Sequence, residues 1–173
     1  RSSDLEALLL DYQVFNKLIE VFKSANKTTF QQIVSIYEKF IALSERFGVK
    51  LSKTPDFLQE LVERLGVDLV ENENNQELDY KNINNKNKVV PKKPLRIECT
   101  NPSALVRKEL LDILLHLCIR HSNPRNLLNK HNLYPIIVQI LHMSQNDDMV
   151  ILEEIATQLM QIYSGSTGGY VRY

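Results

Sequence analysis

The chain has 173 residues with 21 basic and 21 acidic side chains, and its formal net charge is zero. Balanced charge gives no overall field to attract nucleic acid or an anionic membrane, and no apolar run approaches the roughly 20 residues that a membrane-spanning helix needs. This length, with 43% hydrophobic and 24% charged residues, suits one globular domain with a substantial core.

Helical periodicity dominates both ends of the chain. Apolar residues recur there at three- and four-residue spacing, and no window alternates over any length as a strand does. The pattern predicts eight helices, near residues 4–11, 13–24, 27–47, 55–65, 102–121, 123–130, 133–143 and 148–163. We therefore expect an all-α protein.

Two of the predicted helix ends rest on capping chemistry. The third helix is expected to close at Glu45 and Arg46, before Gly48. Thr54 is expected to cap the helix that begins at Pro55, because the missing proline N–H costs nothing at a first helical position.

A polar insertion interrupts the middle of the chain. Residues 71–95 are rich in Asn, Lys and Glu and poor in apolar side chains, so they cannot bury enough surface to offset their ordering entropy. We expect a disordered loop. Its basic end, KNKVVPKKPLR, is interpreted as a solvated flank, with a nuclear-import or phosphate-binding patch as the alternative. The Gly-rich tail 166–173 is expected to be flexible.

The two helical ends of the chain repeat one another. Aligned without a gap at an offset of 119 residues, 133–163 has apolar side chains where 14–44 has them. A middle copy matches in two pieces, at offsets of 43 and 77 residues, and the difference of 34 residues places the polar insertion between the two pieces. Without the insertion the copies recur every 42 or 43 residues, within the roughly 40–47 residues of stacked helical repeats.

Residues 126–137, NLLNKHNLYPII, resemble the first helix, turn and second helix of an armadillo repeat, and 149–165 resembles its long third helix. The resemblance is good over 123–165, fair over 5–47 and looser over 49–121. It implies an armadillo-like, right-handed α-solenoid, of the general type that includes HEAT repeats, with third helices lining a concave groove. Such solenoids serve many unrelated partners, so the resemblance specifies the fold better than the function.

The resemblance divides residues 1–165 into about three repeats of a single domain. Repeat 1 spans about 4–47, repeat 2 about 49–121 with the insertion, and repeat 3 about 122–165. An amphipathic helix pair cannot bury its faces alone, so the copies are expected to stack. Because the chain begins with Arg1 rather than Met, we also expect it to be a piece of a longer protein.

One departure from the family pattern bears on the ligand. Groove-type armadillo proteins that bind extended basic peptides carry Trp and Asn on the third helix. Here those positions are Glu38, Ala42, Thr157 and Gln161, and the chain has no Trp, which argues against nuclear-import-type binding. A faint similarity to the non-catalytic C-terminal region of mitotic-exit and septation-network kinases would place the chain in cell-cycle control.

The sequence carries no signature of catalysis. His116, His121, His131 and His142 include no pair at i,i+4 spacing, and no Cys or carboxylate completes a metal-ligand pattern. There is no Gly-rich phosphate loop and no GxSxG. We therefore expect no enzymatic activity and no catalytic, cofactor-binding or metal-ligating residues.

Cysteine use indicates the compartment. Cys99 and Cys118 are the only cysteines and form no CxxC. They are interpreted as two free thiols in a reducing compartment, with a single disulfide as the alternative. No secretory signal pattern begins the chain, so we expect an intracellular protein, cytoplasmic or nuclear.

Binding is the expected activity. The exposed sides of the third helices are predicted to form a mixed polar partner groove that suits a helix or an extended peptide. The predicted groove residues are Gln31, Gln32, Ser35, Glu38, Lys39, Arg107, Lys108, Asp112, Glu154, Thr157, Gln158 and Gln161. A basic corner made of Arg120, His121, Arg125 and Lys130 could receive an acidic or phosphorylated motif.

Surplus apolar surface at the two ends predicts self-association, as a dimer through one terminal repeat. The residues assigned to this contact are Leu9, Val150, Ile151, Met160, Tyr170 and Tyr173.

These features predict a non-catalytic protein–protein interaction module, a scaffold or regulatory domain that binds a peptide or helix of a protein partner. One alternative is a structural or regulatory subunit of an enzyme. Another is a weak nucleic-acid or phosphopeptide binder acting through the basic corner, although zero net charge argues against nucleic acid.

Overall fold

The computed structural model describes residues 2–67 and 102–165. All regular structure in these two ranges is helical, which confirms the all-α prediction for them. The α-helices are α1 (Ser2–Leu10), α2 (Tyr12–Ser24), α3 (Lys27–Leu43), α4 (Glu45–Ser52), α5 (Pro55–Leu65), α6 (Ala104–Arg120), α7 (Pro124–Lys130), α8 (Leu133–Met143) and α9 (Glu153–Ser164), with a 3₁₀ helix at Asp147–Leu152. The predicted insertion 71–95, the tail 166–173 and Cys99 lie outside the described residues.

The prediction of one helix over 27–47 is wrong, because Ser44 divides it into α3 and α4. Ser44 has extended backbone dihedrals of φ −140° and ψ 106°, and its hydroxyl accepts a hydrogen bond from the Phe47 N–H at 3.0 Å. The same hydroxyl donates to the Glu6 carboxylate at 2.7 Å. Apolar spacing runs through this position unbroken, so only the capping chemistry of a serine marks the new helix.

Other helix ends also differ from their predicted positions. Thr54 precedes α5, but its hydroxyl donates to the Lys50 carbonyl at 2.7 Å and caps no N–H. Ser103 caps α6 by accepting from the Val106 N–H at 3.1 Å. The last predicted helix begins as the 3₁₀ helix, which periodicity cannot distinguish from an α-helix because both place residues i and i+3 together.

The long helix α6 lies at the centre of the packing. It packs against α3 on one side and α9 on the other, so that α3, α6 and α9 form a row. Shorter helices form the rest of the fold: α1 packs against α4, α2 against α5, and α8 against α9. The row therefore positions one side of three long helices along a shared surface.

A continuous hydrophobic core joins these helices. Its amino-terminal part is aromatic, with Phe22 and Phe57 at a ring-centroid distance of 4.7 Å and Tyr37 stacked on Phe57 at 5.6 Å. The carboxyl-terminal part is aliphatic and includes the fully buried Leu114 and Ile137. Each buried side chain of this size contributes about 1.5–3 kcal/mol, which is enough to fix the helix row.

Candidate partner-binding face

The row of α3, α6 and α9 turns polar side chains towards one surface. Glu38 of α3 is close enough to Lys108, Glu109 and Asp112 of α6 to interact electrostatically, and side chains of α6 and α9 line a common groove. We name this surface the three-helix face. Its residues are Gln31, Ser35, Glu38, Lys108, Glu109, Asp112, Leu115, Ile151, Glu154 and Gln158.

Most of the predicted groove residues lie on or beside this face. On α3, Gln31, Gln32, Ser35 and Lys39 line a shallow depression. Lys108, Asp112, Glu154 and Gln158 line the groove between α6 and α9. Thr157 lines a further depression on α9, and Gln161 is partly buried at the end of the same helix. Whether any of them contacts a partner remains a prediction.

Arg107 was wrongly placed in the groove. It is only 4% exposed, and its guanidinium donates to the carbonyl oxygens of Leu65 at 2.8 Å and Gly66 at 3.0 Å. The side chain therefore closes the end of α5, where helix carbonyls lack intrahelical donors. The repeat register contained the signal: at the offset of 77 residues, Arg107 corresponds to the buried Phe30.

Glu109 and Leu115 belong to the face but were not predicted. Glu109 lies near Gln31 and Ser35 in the seam between α3 and α6. Leu115 lines the α6–α9 groove, and at the offset of 77 residues it corresponds to Glu38, a predicted groove position. The register could have identified both residues, because at the same offset Glu109 corresponds to Gln32, which is also a predicted groove position.

Three carboxyl groups crowd the seam between α3 and α6. Burial, followed by repulsion from Asp112 and Glu109, raises the pKa of Glu38 to about 7, against an opposing effect of Lys108. Burial also raises the pKa of Glu109, an effect that hydrogen bonding from the Gln31 and Ser35 side chains opposes. Glu38 Oε1 and Glu109 Oε2 are buried and have no hydrogen-bond partner within residues 2–67 and 102–165.

The remaining charges make the face acidic towards α9. Lys108 Nζ lies 3.5 Å from the Asp112 carboxylate, in a half-exposed pair. Glu153 and Glu154 begin α9, where carboxylates complement the helix dipole. Both are exposed.

Two residues of the basic corner already make contacts with other residues of the chain. Arg125 Nε donates to the Tyr163 carbonyl at 2.8 Å, and its guanidinium lies over the Tyr163 ring. His121 Nδ1 accepts from the Asn123 N–H at 2.9 Å. Arg120 and Lys130 are exposed. Binding of an acidic motif at this corner stays a prediction.

The residues predicted to self-associate differ in their exposure. Leu9 is 2% exposed and belongs to the core, so its assignment to a contact surface is wrong. One residue earlier, about 100° around α1, Leu8 is 54% exposed. Val150 and Ile151 are exposed as predicted, and Met160 packs against the core. Tyr170 and Tyr173 lie outside the described residues.

Two observations on the described residues concern metal binding and thiol chemistry. Within it, no group of three or more His, Cys, Asp or Glu side chains could hold a metal ion. Burial raises the pKa of the Cys118 thiol to about 12, so the reactive thiolate is scarce at neutral pH.

Across both described ranges, no helix has the length and apolar character needed to cross a bilayer.

Comparison of the chain with protein-family models, with curated proteins and with solved structures finds no match.

Proposed function

We propose that this chain is a non-catalytic interaction module, built as a right-handed armadillo-like solenoid of about three repeats, and that its three-helix face binds a peptide or helix of a protein partner. In this proposal the module is a scaffold or regulatory domain of a larger intracellular protein. The activity is binding, and the three long helices supply the surface.

The order of packing supports the repeat arrangement. Helices α1 to α3 would form the first repeat, α4 to α6 the second and α7 to α9 the third. In agreement with such stacking of the first two repeats, α1 packs against α4, α2 against α5 and α3 against α6, and the third repeat packs on the second chiefly through α6. The short helix α4, which periodicity missed, supplies the first helix that the middle repeat would otherwise lack.

The buried carboxylate oxygens of the three-helix face carry the binding proposal. On a helix side that is merely solvated, polar atoms are hydrogen-bonded to water. Here Glu38 Oε1 is removed from water and has no donor in the described chain, whereas the Glu109 carboxyl in the same seam lies against the Gln31 and Ser35 side chains, which can donate to it. A buried acceptor without a partner costs about 1–3 kcal/mol. Folds tolerate such a cost most often at functional sites, and this favours the three-helix face as the binding surface.

Self-association is a second part of the proposal. Val150 and Ile151 present apolar surface beside the groove, and Leu8 presents more at the amino-terminal end. Exposed apolar side chains of this kind favour contact with a partner or a second copy. A dimer through one terminal repeat would cover one of these two regions.

Two rival functions rest on weaker observations. Catalysis would need a reactive group, and the exposed His116 places its ring Nδ1 2.7 Å from the Asp112 main-chain carbonyl oxygen, a contact that fits structural use. Binding of nucleic acid or a phosphopeptide would need the basic corner, where Arg125 and His121 already have partners. The three-helix face is therefore the better-supported site.

Site-specific photocrosslinking tests the proposal. A photoreactive residue would replace Gln158 on the three-helix face or Gln32 in the α3 depression beside it. Gln13 and Asn16, on the exposed side of α2, are the control positions. We expect one protein to be captured from cell extract by the first pair and not by the second. Equal capture from all four positions would contradict the proposed face. Turnover of a broad substrate panel that is lost in a His116→Ala variant would overturn the non-catalytic assignment.

A further inference from the structure

The groove between α6 and α9 has a mixed apolar and acidic lining. Leu115, Ile151 and Ile155 supply its apolar lining. Asp112 of α6 and Glu154 of α9 supply its acidic lining. Ile151 is 46% exposed, so apolar surface in the groove is accessible to a partner side chain.

The charges around this groove are unbalanced. The groove and the adjoining seam hold five carboxyl groups, belonging to Glu38, Glu109, Asp112, Glu153 and Glu154. The cation that lines the groove, Lys108, is already 3.5 Å from Asp112. Neither Glu153 nor Glu154 forms an ion pair with another residue of the described chain. An incoming cation would therefore gain attraction without displacing an existing pair at α9.

The pKa values of the carboxyl groups in the seam reflect this imbalance. Repulsion from neighbouring carboxylates adds to burial in raising the pKa of both Glu38 and Glu109. A positive charge placed nearby would relieve that repulsion, because an opposite charge within a few ångströms favours the ionised form. An acidic or phosphorylated ligand would add to the repulsion, so charge complementarity disfavours it here.

We propose that the α6–α9 groove receives a basic amphipathic segment of a partner protein. One apolar side chain of the segment packs between Leu115 and Ile151, and Lys or Arg side chains one turn to either side meet Asp112 and Glu154. This inference rests on the proposed function, since it names the class of partner for part of the same face. The segment is recognised by charge around an apolar anchor.

Fluorescence polarisation with two matched probe peptides tests the inference on the full chain. Each labelled probe has about 16 residues, or four to five helical turns, with Leu at i, i+4 and i+7. The remaining positions are mainly Lys in one probe and Glu in the other. We expect the Lys probe to bind at low salt and its affinity to fall as ionic strength rises. The Glu probe should bind at least about tenfold more weakly.

Charge reversal at one site separates groove binding from general attraction. The Glu154→Lys variant should weaken the Lys probe by about tenfold. The matched control is Glu20→Lys, on the exposed side of α2, where Glu20 pairs with Lys17 at 3.6 Å. This variant should change the affinity for the Lys probe by less than about twofold. An Ile151→Ser variant should also weaken the probe, and thermal melting confirms that each variant folds. Equal losses in Glu154→Lys and Glu20→Lys would overturn the inference.

The outcomes also separate this inference from the proposed function. If the partner crosslinked at Gln32 or Gln158 binds through an acidic or neutral segment and the Lys probe does not bind, the basic partner is wrong while the binding face stands. If the Lys probe fails and those crosslinks fail too, both are wrong. If the Lys probe binds and is displaced by the crosslinked partner, both are supported.

Discussion

Arg107 of α6 donates a hydrogen bond from Nε to the main-chain carbonyl of Leu65, at the end of α5, over 2.8 Å. Arg64 of α5 does the same for α2, with Nη2 2.6 Å from the Ala25 carbonyl. In both places a buried arginine satisfies carbonyls that a helix end leaves without intrahelical donors. The helices are thus joined by charged side chains as well as by apolar packing.

Loss of the Arg107 guanidinium should destabilise the fold strongly. In an Arg107→Met variant the Leu65 and Gly66 carbonyls lose their donor while they remain in the interior. We expect the free energy of unfolding to fall by about 2–4 kcal/mol. Urea denaturation measures the change. Lys108→Met is the control, because its half-exposed pair with Asp112 contributes at most about 1 kcal/mol; equal effects of the two variants would contradict the role of Arg107.

Ser44→Ala should weaken the junction between α3 and α4. The variant loses the cap on the Phe47 N–H and the hydrogen bond to Glu6. Loss of a serine cap costs about 0.5–2 kcal/mol, and we expect the upper part of that range because Ser44 is buried. Chemical denaturation provides the measurement. The free energy of unfolding of Ser24→Ala, at the exposed end of α2, should be within about 0.5 kcal/mol of that of the parent.

Glu38 should make the stability of the chain depend on pH. Its pKa is raised from an ordinary 4.5 to about 7 in the fold, so the folded state holds the proton more tightly than the unfolded state does. The resulting stability is present below pH 4.5 and is lost as the pH rises through about 7.

The Glu38→Gln variant isolates this contribution. The free energy of unfolding of Glu38→Gln, relative to that of the parent, should rise by about 1 kcal/mol between acidic and mildly alkaline pH. The full pKa shift would give a larger value, but solvent screens a partly exposed group. Thermal melting from pH 4 to pH 8 follows the difference. As a control, the melting temperature of Glu20→Gln, a change on an exposed helix side, should match that of the parent at every pH. A Glu38→Gln curve parallel to that of the parent would contradict the raised pKa.

Apolar surface residues should control self-association. If the chain dimerises through a terminal repeat, Ile151→Glu or Leu8→Glu should shift light scattering towards the monomer at high concentration while leaving the fold intact. Leu9→Glu should behave differently: it buries a carboxylate in the core, which costs several kcal/mol, so it should unfold the chain. A monomeric parent at all concentrations would rule out the dimer.

The helices and most core positions followed from apolar spacing, because burial of one helical side imposes that period on the sequence. Three features did not follow. Ser44 acts through a single hydroxyl, which periodicity cannot register. Arg107 is charged, and its burial depends on carbonyls of a helix 42 residues away. Leu9 lies in a helix that is apolar nearly all round, so spacing alone could not separate it from the exposed Leu8.

The candidate face was only partly predictable for a related reason. Apolar spacing predicted exposed polar positions on α3, α6 and α9, with Arg107 as an exception because it is buried. It could not reveal that Glu38, Glu109 and Asp112 crowd one seam, since this depends on how closely two helices pack. Charge clusters formed between distant segments need coordinates.

Hydrogen exchange with and without the bound partner tests the central claim most directly. The partner would be the protein captured by crosslinking at Gln32 or Gln158, and mass spectrometry would follow amide protection along the whole chain. We predict that binding slows exchange in the long helices, within residues 28–39, 108–116 and 150–161, and leaves 12–24 unchanged. Protection confined to 120–130, or to α2, with no change in the three long helices would contradict the claim that this face binds the partner.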